Sequence, residues 1–241
     1  MNVLTFDGLR GAYALSSAVV LATPAHAAAL RDALPHGSAV HEVPHAQLRS
    51  RRDPASRLGE LAAGVHAESH PPGGEAFRRG VFISTRRGNQ ASVRKFALGL
   101  AAGRRSPSTF SVAGYNIVAQ SVAQRLPAQG PSVVLAGRGA GLDGACLLGA
   151  LRLAAGAVDT AYVGHITWLP DAGGRGGEGL AVLAALERVS GTDADGTDAV
   201  RLDPRALYAR SPAAPGLGQE DHAALRRVAA LLAERVPVGA A

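Results

Sequence analysis

The sequence contains a single cysteine and few aromatic residues. Among 241 residues Cys146 is the only cysteine, which excludes an intrachain disulfide and a metal cluster held by several thiolates. Phe, Trp and Tyr make up 4% of the chain, so the core must consist mainly of small aliphatic side chains, as in closely packed helices on a sheet. The low cysteine content is compatible with a reducing compartment, and we expect a cytoplasmic protein.

Lysine is almost absent, so the positive charge comes from arginine. Lys95 is the only lysine among 25 basic residues, against 19 acidic residues, and the formal net charge is +6. A basic surface attracts acidic partners. The arginines are scattered in pairs without the interleaved aromatic residues typical of single-strand binding proteins. We therefore predict no nucleic-acid partner.

Long hydrophobic runs are also missing. Residues 11–30 carry no Asp, Glu, Lys or Arg, but Pro24, His26 and several hydroxyl residues interrupt the run too often for a membrane span. We predict no membrane partner, with a buried strand at 17–22 and a helix from Pro24. Ala25-His26-Ala27 can also be interpreted as a signal-peptidase site, so secretion after removal of residues 1–27 stays open as an alternative.

Strands and helices alternate along most of the chain. Strands are predicted at 3–6, 17–22, 80–85, 132–136, 160–164 and 180–186, helices at 24–34, 57–66, 92–100, 116–126 and after 141, and loops at 35–54 and 104–110. Several strands are continuously apolar, which is typical of strands buried on both faces. We therefore predict an α/β fold with layered helices on a mixed, mostly parallel sheet. Residues 1–186 are expected to form the main domain, and 187–241 a linker and an amphipathic helix at 219–236 that packs on it.

Two metal-site patterns fail on inspection. His41-Glu-Val-Pro-His45 matches HExxH, which binds zinc only if both imidazoles lie on one helical face. Pro44 disfavours helix at the preceding residue, so we interpret the segment as a loop. Asp193, Asp195 and Asp198 resemble a calcium loop, but its twelfth position is Pro204 instead of a bidentate glutamate. We predict no metal site.

A glycine-rich turn follows the strand at 132–136. Gly139, Gly141 and Gly144 form GxGxxG, the pattern that places a pyrophosphate on a helix N-terminus in dinucleotide-binding folds. The acid that binds the ribose lies about 20 residues later, at the end of the second strand. Asp159 has this separation but precedes its strand. An NAD(P)-dependent oxidoreductase that uses loop 139–144 stays as the alternative function.

Six short motifs occur in order between residues 80 and 180. They are GVFIST at 80–85, SPSTF at 106–110, Asn116 six residues after Phe110, Gly130-Pro131, GAVD at 156–159 and GEGL at 177–180. In type and order they resemble GVFVGT, SPxTF, the following asparagine, GP, GxxD and GEGA of the N-terminal half of beta-ketoacyl synthases. The resemblance covers about residues 80–186. It implies that residues 1–186 form a single thiolase-like half.

The resemblance also implies that catalytic residues are missing. It places the family's nucleophilic cysteine at Gly139, which has no side chain to attack a thioester. Cys146 lies seven residues further on and is expected to be a packing residue. Nothing after residue 186 resembles the family's two histidine motifs, and His165 is interpreted as a strand-end residue. No catalytic residue, cofactor or metal is therefore expected.

This combination resembles a truncated chain-length factor, the silent partner in type II synthases. The resemblance implies a non-catalytic subunit that forms a heterodimer with an active ketosynthase, supports acyl-chain elongation in polyketide or fatty acid biosynthesis, and meets an acyl carrier protein indirectly. A homodimer stays open. Half of a synthase must leave an apolar helical layer uncovered or cover it otherwise. The residues expected at the interface or tunnel are Pro107, Phe110, Tyr115, Asn116, Ser132, Val133, Val134, Leu135 and Ala136.

Overall fold

A computed structural model describes most of the chain up to residue 202. The described residues are 2–6, 9, 12–33, 40–49, 52–104, 106–111, 113–137, 141–171, 176–189 and 199–202. The strands are β1 (Asn2–Phe6), β2 (Tyr13–Ala22), β3 (Val40–Glu42), β4 (Arg79–Thr85), β5 (Ser132–Ala136), β6 (Thr160–Pro170), β7 (Gly177–Arg188) and β8 (Ala199–Leu202). The helices are α1 (Pro24–Ala33), α2 (His45–Leu48), α3 (Pro54–Ser69), α4 (Gln90–Ala101), α5 (Pro107–Ser111), α6 (Ile117–Arg125) and α7 (Leu142–Ala154), with a 3-10 turn at Ala76–Arg78.

The strands of the described residues form one eight-stranded sheet. Its order is β5-β4-β6-β7-β2-β1-β8, and β3 pairs with β2 beside this path. Four of the seven described pairings are parallel and three are antiparallel. This mixed sheet with helices confirms the predicted fold class. It also places β5 at one edge, where its only described neighbour is β4.

Buried apolar side chains form one cluster on each face of the sheet. Phe82 and Val163 belong to the cluster under α1 and α7, whereas Ile83 and Ile166 belong to the cluster under α3 and α6. This division follows from the alternation of side chains along a strand. Of the large apolar side chains exposed in the described part, none lies on α3 and only Leu151 lies on α7. Neither helix therefore presents the broad uncovered apolar layer considered above.

Glycines allow the helices to approach the sheet closely. A Cβ atom on Gly149 of α7 would lie 2.8 Å from Cγ1 of Val163, and one on Gly59 of α3 would lie 2.8 Å from Cδ1 of Ile166. Real Cβ atoms do not approach this closely, so a larger residue at either position would force its neighbour to shift. The core of small side chains expected from the composition is present.

The start of α3 shows how a local signal and a distant contact combine. The carboxylate of Asp53 accepts a hydrogen bond from the Ala55 amide at 2.9 Å and another from the Ser92 hydroxyl at 2.9 Å. Asp53 is thus the N-cap of α3, with Pro54 in the first turn, where proline is favoured. Burial raises the pKa of Asp53, and these hydrogen bonds only partly offset it. The helix therefore begins three residues earlier than predicted.

Several elements differ from the predicted bounds. The expected loops at 35–54 and 104–110 contain β3, α2 and α5, and β6 continues to Pro170 because β7 pairs with it along its whole length. β8 lies in the expected linker and pairs with β1. The helix predicted at 219–236 and the calcium-like segment at 193–204 fall mostly or wholly outside the described residues. No helix in the described ranges is long and apolar enough to cross a membrane.

Candidate functional site

The carboxyl ends of β4 and β5 form the edge where the resemblance places the reaction. The two strands are parallel, and Thr85 pairs with Ala136 at their ends. The chain turns at Gly137, whose φ of +132° favours glycine, and α7 begins at Leu142 after the N-cap Gly141. Gly139, the expected nucleophile position, lies outside the described residues. The strand, turn and helix on either side of it occur as predicted.

The thiol of Cys146 is not available as a substitute nucleophile. Cys146 lies in α7 with 0% exposure and belongs to the core cluster under that helix. Burial, with a smaller effect from Asp143, raises the pKa of the thiol, so the reactive thiolate is disfavoured. The predicted role as a packing residue is confirmed.

The topology does not suit a dinucleotide turn at 139–144. In such folds the strand that follows the turn is adjacent to the strand that precedes it, but here β4 lies between β5 and β6. Asp159 is at the amino end of β6, where Arg78 Nε and Nη2 donate to its carboxylate at 3.0 and 2.6 Å. These bonds hold the pKa of Asp159 below its usual range. The acid is therefore at the opposite end of the strands from the turn, as its place before the strand indicated.

A buried serine–histidine pair, which no pattern in the sequence predicts, connects β4 and β6. The Ser84 hydroxyl donates to the Gly164 carbonyl at 3.1 Å and lies 2.9 Å from His165 Nδ1. Because the Ser84 hydroxyl donates its hydrogen bond to the Gly164 carbonyl, its oxygen accepts one from the protonated Nδ1 of His165. The buried Nε2 of His165 has no hydrogen-bond partner in the described part of the chain. His165 is in the middle of β6 and paired with Ser84, so its interpretation as a strand-end residue was wrong.

The chemistry open to this pair is restricted by burial. Ser84 is 0% and His165 4% exposed, so no substrate reaches either side chain. Burial lowers the pKa of His165 to about 4, and the imidazole is neutral at neutral pH. The pair therefore links two central strands instead of forming an accessible nucleophile and base. Only the pairing register, which the sequence does not show, brings the two residues together.

The predicted interface residues lie around the same edge of the sheet. Phe110 and Tyr115 are 67% and 53% exposed, and Asn116 is exposed before α6. The Tyr115 ring lies beside Gly88, and the Asn89 side-chain amide donates to the Gly114 carbonyl at 2.9 Å. The segment thus rests on the turn that follows β4. The remaining predicted residues are Pro107, exposed in α5, Ser132, Val133, Val134 and Leu135, half-buried in β5, and Ala136, exposed at its end.

Helix α4 extends this exposed apolar region. None of its residues is buried, Leu98 and Leu100 are 60% and 48% exposed, and Phe96 contacts Phe110 of α5 with ring centroids 5.5 Å apart. We call Leu98, Leu100, Phe110 and Tyr115 the α4–α5 patch. Within the described part of the chain, this helix therefore lacks the buried face that normally stabilises an amphipathic helix.

The stretch of sequence that contains the α4–α5 patch carries charge of one sign. Between Glu75 and Asp143 the sequence contains no acidic residue. The same stretch contains ten basic residues: Arg78, Arg79, Arg86, Arg87, Arg94, Lys95, Arg104, Arg105, Arg125 and Arg138. A surface that faces this region is favoured if it is acidic.

The HExxH segment does not form a helical zinc motif. His41 lies in β3, Pro44 has the extended backbone φ −58° and ψ 140°, and His45 begins α2. A strand and a short helix replace the predicted loop. In the described ranges no group of three His, Cys, Asp or Glu side chains is arranged to hold a metal ion.

Comparison with solved structures identifies the architecture. No protein-family model and no curated protein matches the sequence. A chain in the structure of the ketosynthase ApeO in complex with its chain length factor ApeC from Xenorhabdus doucetiae matches with a TM-score of 0.50 and 17% identity, over 74% of this chain and 80% of that one. The chain has a thiolase-like, ketosynthase-type fold. This confirms the fold that the six motifs predicted.

Two further solved structures are similar over shorter parts of their chains. The ishigamide ketosynthase/chain length factor matches with a TM-score of 0.47 and 19% identity, over 69% of this chain and 49% of that one. Ketosynthase twelve of the bacillaene polyketide synthase from Bacillus amyloliquefaciens matches with a TM-score of 0.43 and 19% identity, over 57% of this chain and 28% of that one. The chain thus spans about half the length of the first protein and under a third of the second.

Proposed function

We propose that this chain is a non-catalytic, ketosynthase-like subunit that forms a heterodimer with an active beta-ketoacyl synthase in the cytoplasm and supports acyl-chain elongation in type II polyketide or fatty acid biosynthesis. The observation that carries the proposal is the burial of Cys146. It is the only cysteine of the chain, it is 0% exposed, and the family resemblance assigns the nucleophile position to Gly139. No thiol is then left to take up an acyl group.

The edge strand β5 supports the proposed pairing. An unpaired edge exposes backbone donors and acceptors and is normally protected by charge, proline or a covering element. β5 contains none of these protecting residues, since its sequence is Ser132-Val-Val-Leu-Ala136. Its Val133 and Val134 pack against the clusters on opposite faces of the sheet, so a partner strand added here would extend both faces.

The α4–α5 patch supplies the apolar part of the same interface. Its exposed side chains adjoin the turn after β4, and the acid-free stretch around them favours an acidic counterpart. The active ketosynthase would cover β5 and the patch together. The arginine-rich surface outside this contact suits the approach of an acidic acyl carrier protein.

The experiment is co-expression and reconstitution with a ketosynthase sought among the genomic neighbours of this chain. We expect poor solubility of the chain expressed alone, a stable complex on co-expression, and elongation of a labelled acyl group that depends on both subunits. The isolated chain should take up no labelled acyl group from a carrier protein in intact-mass spectra. Its Gly139→Cys variant should show no condensation activity, because nothing in the sequence resembles the two histidine motifs of the family. Acylation and elongation by the purified chain alone would overturn the proposal.

A further inference from the structure

A cavity of about 380 Å³ lies at the other end of the sheet from the turn at Gly137. The end of α3, the segment Pro71–Gly74, the first residues of β4 and β6, and the last residues of β7 form its wall. Its volume is in the range of small-molecule sites. Because it is at the amino ends of β4 and β6, it is separate from the proposed interface and from the nucleophile position.

Arg79 places a buried positive charge in the wall of this cavity. The residue is 9% exposed. Its Nε donates to the Gly73 carbonyl at 2.9 Å, its Nη1 donates to the Pro127 carbonyl at 3.2 Å, and its Nη2 donates to the Gly74 carbonyl. Three carbonyls solvate the guanidinium, but no carboxylate of the described part pairs with it. Two of its five N–H groups are left over, and a buried cation without a counter-ion is unfavourable.

Tyr162 adds a donor beside Arg79. The residue is 3% exposed, its ring packs edge-on against His66 at 5.5 Å, and it lines the cavity. Its hydroxyl makes no hydrogen bond within the described ranges and is not one of the fully buried polar atoms that lack a partner, so it is open to water in the cavity. Burial raises the pKa of Tyr162, the nearby Arg79 charge opposes this rise, and Glu187 adds to it. The hydroxyl therefore keeps its proton and can donate it.

The carboxylates of the wall, Glu75, Asp159 and Glu187, are all exposed, unlike the guanidinium of Arg79. Arg78 and Asp159 neutralise each other through two hydrogen bonds. Glu75 and Glu187 are exposed, so water screens their charge. The buried charge of the wall is therefore that of Arg79.

We propose that this cavity binds an oxyanion, the carboxylate or phosphate group of a small molecule, which accepts hydrogen bonds from the Arg79 guanidinium and the Tyr162 hydroxyl. An oxyanion would supply a counter-charge to Arg79 and an acceptor to both side chains. The site requires neither the partner subunit nor position 139. The result of testing this site is therefore independent of whether the proposed function is correct.

Calorimetric titration of the full-length chain, co-purified with its partner if necessary, tests the site. Sodium phosphate and sodium acetate are titrated at constant ionic strength, with sodium chloride as the reference. We expect saturable binding of phosphate, acetate or both, and none of chloride. Binding of phosphate alone identifies a phosphoryl ligand, and binding of acetate alone identifies a carboxylate. Absence of saturable binding for both anions would overturn the site.

Tyr162→Phe is the decisive variant because it removes only the hydroxyl. Loss of one hydrogen bond to a charged group should weaken anion binding about tenfold or more. The melting temperature should not fall, since the hydroxyl has no partner within the described part of the chain. Arg79→Lys should also weaken binding, whereas Arg152→Lys, on the exposed side of α7, should not. Unchanged affinity in folded Tyr162→Phe would refute the assignment.

Discussion

Replacing Phe110 with alanine tests the proposed heterodimer interface at its most exposed large apolar side chain. Phe110 is 67% exposed in α5, and a phenylalanine side chain presents about 200 Å². Covering the exposed part by a partner would remove roughly 130 Å² from water, which at about 25 cal/mol per Å² corresponds to about 3 kcal/mol. We therefore expect Phe110→Ala to weaken the heterodimer on the order of 100-fold.

The matched control is Phe77→Ala. Phe77 is 60% exposed, but it lies in the 3-10 turn before β4, at the opposite end of that strand from the α4–α5 patch. Surface plasmon resonance with the immobilised ketosynthase should show a faster dissociation rate for Phe110→Ala only. Thermal melts of the free chains should show that both variants remain folded. If Phe110→Ala binds like the unchanged chain, or if both variants weaken binding equally, the interface is not where we place it.

Two further predictions concern the sheet and its packing. His165 has a folded-state pKa of about 4, below its ordinary 6.5. Between these pH values the imidazole is protonated in the unfolded chain but not in the folded one. The contribution of His165 should therefore lower the free energy of unfolding by about 3 kcal/mol as pH drops from 6.5 to 4. Urea titrations should show a flatter pH dependence for His165→Gln, and an unchanged slope would contradict the burial of the imidazole. Gly149→Ala should destabilise the chain by about 1–3 kcal/mol, because its Cβ would lie 2.8 Å from Val163 Cγ1. Gly144→Ala in the same helix, with its nearest contact at 3.6 Å, should instead raise stability by up to about 1 kcal/mol; equal effects would show that α7 does not approach β6 as described.

Local patterns in the sequence determined much of the secondary structure. Strand β4 and strand β5 were predicted because an apolar run of β-forming residues is recognisable without knowledge of its neighbours. The same is true of α7, where an Ala- and Leu-rich segment follows a glycine turn. The order of six short motifs then predicted the fold that the ApeO–ApeC structure shares. The burial of Cys146 was also predictable, since a helix after a buried strand packs its small residues against the sheet.

Only the tertiary structure decided which residues meet across the sheet. Ser84 and His165 are 81 positions apart, and no local signal indicates that parallel pairing of β4 with β6 places them side by side. The exposure of α4 is likewise a property of what packs against it, because its own sequence is amphipathic enough for a buried helix.

The cavity beside Arg79 illustrates the same limit. Arginine next to a strand is ordinarily a surface residue, and only the closure of 73–74 and Pro127 around its guanidinium buries the charge. In sequence terms Tyr162 is one more apolar position of β6. Composition and periodicity thus predicted the elements, and the six motifs carried the family resemblance, because both depend on neighbours along the chain. Strand order and register decided that β5 is an edge strand, that Ser84 meets His165, and that a cavity forms beside Arg79, because these features depend on contacts between distant residues.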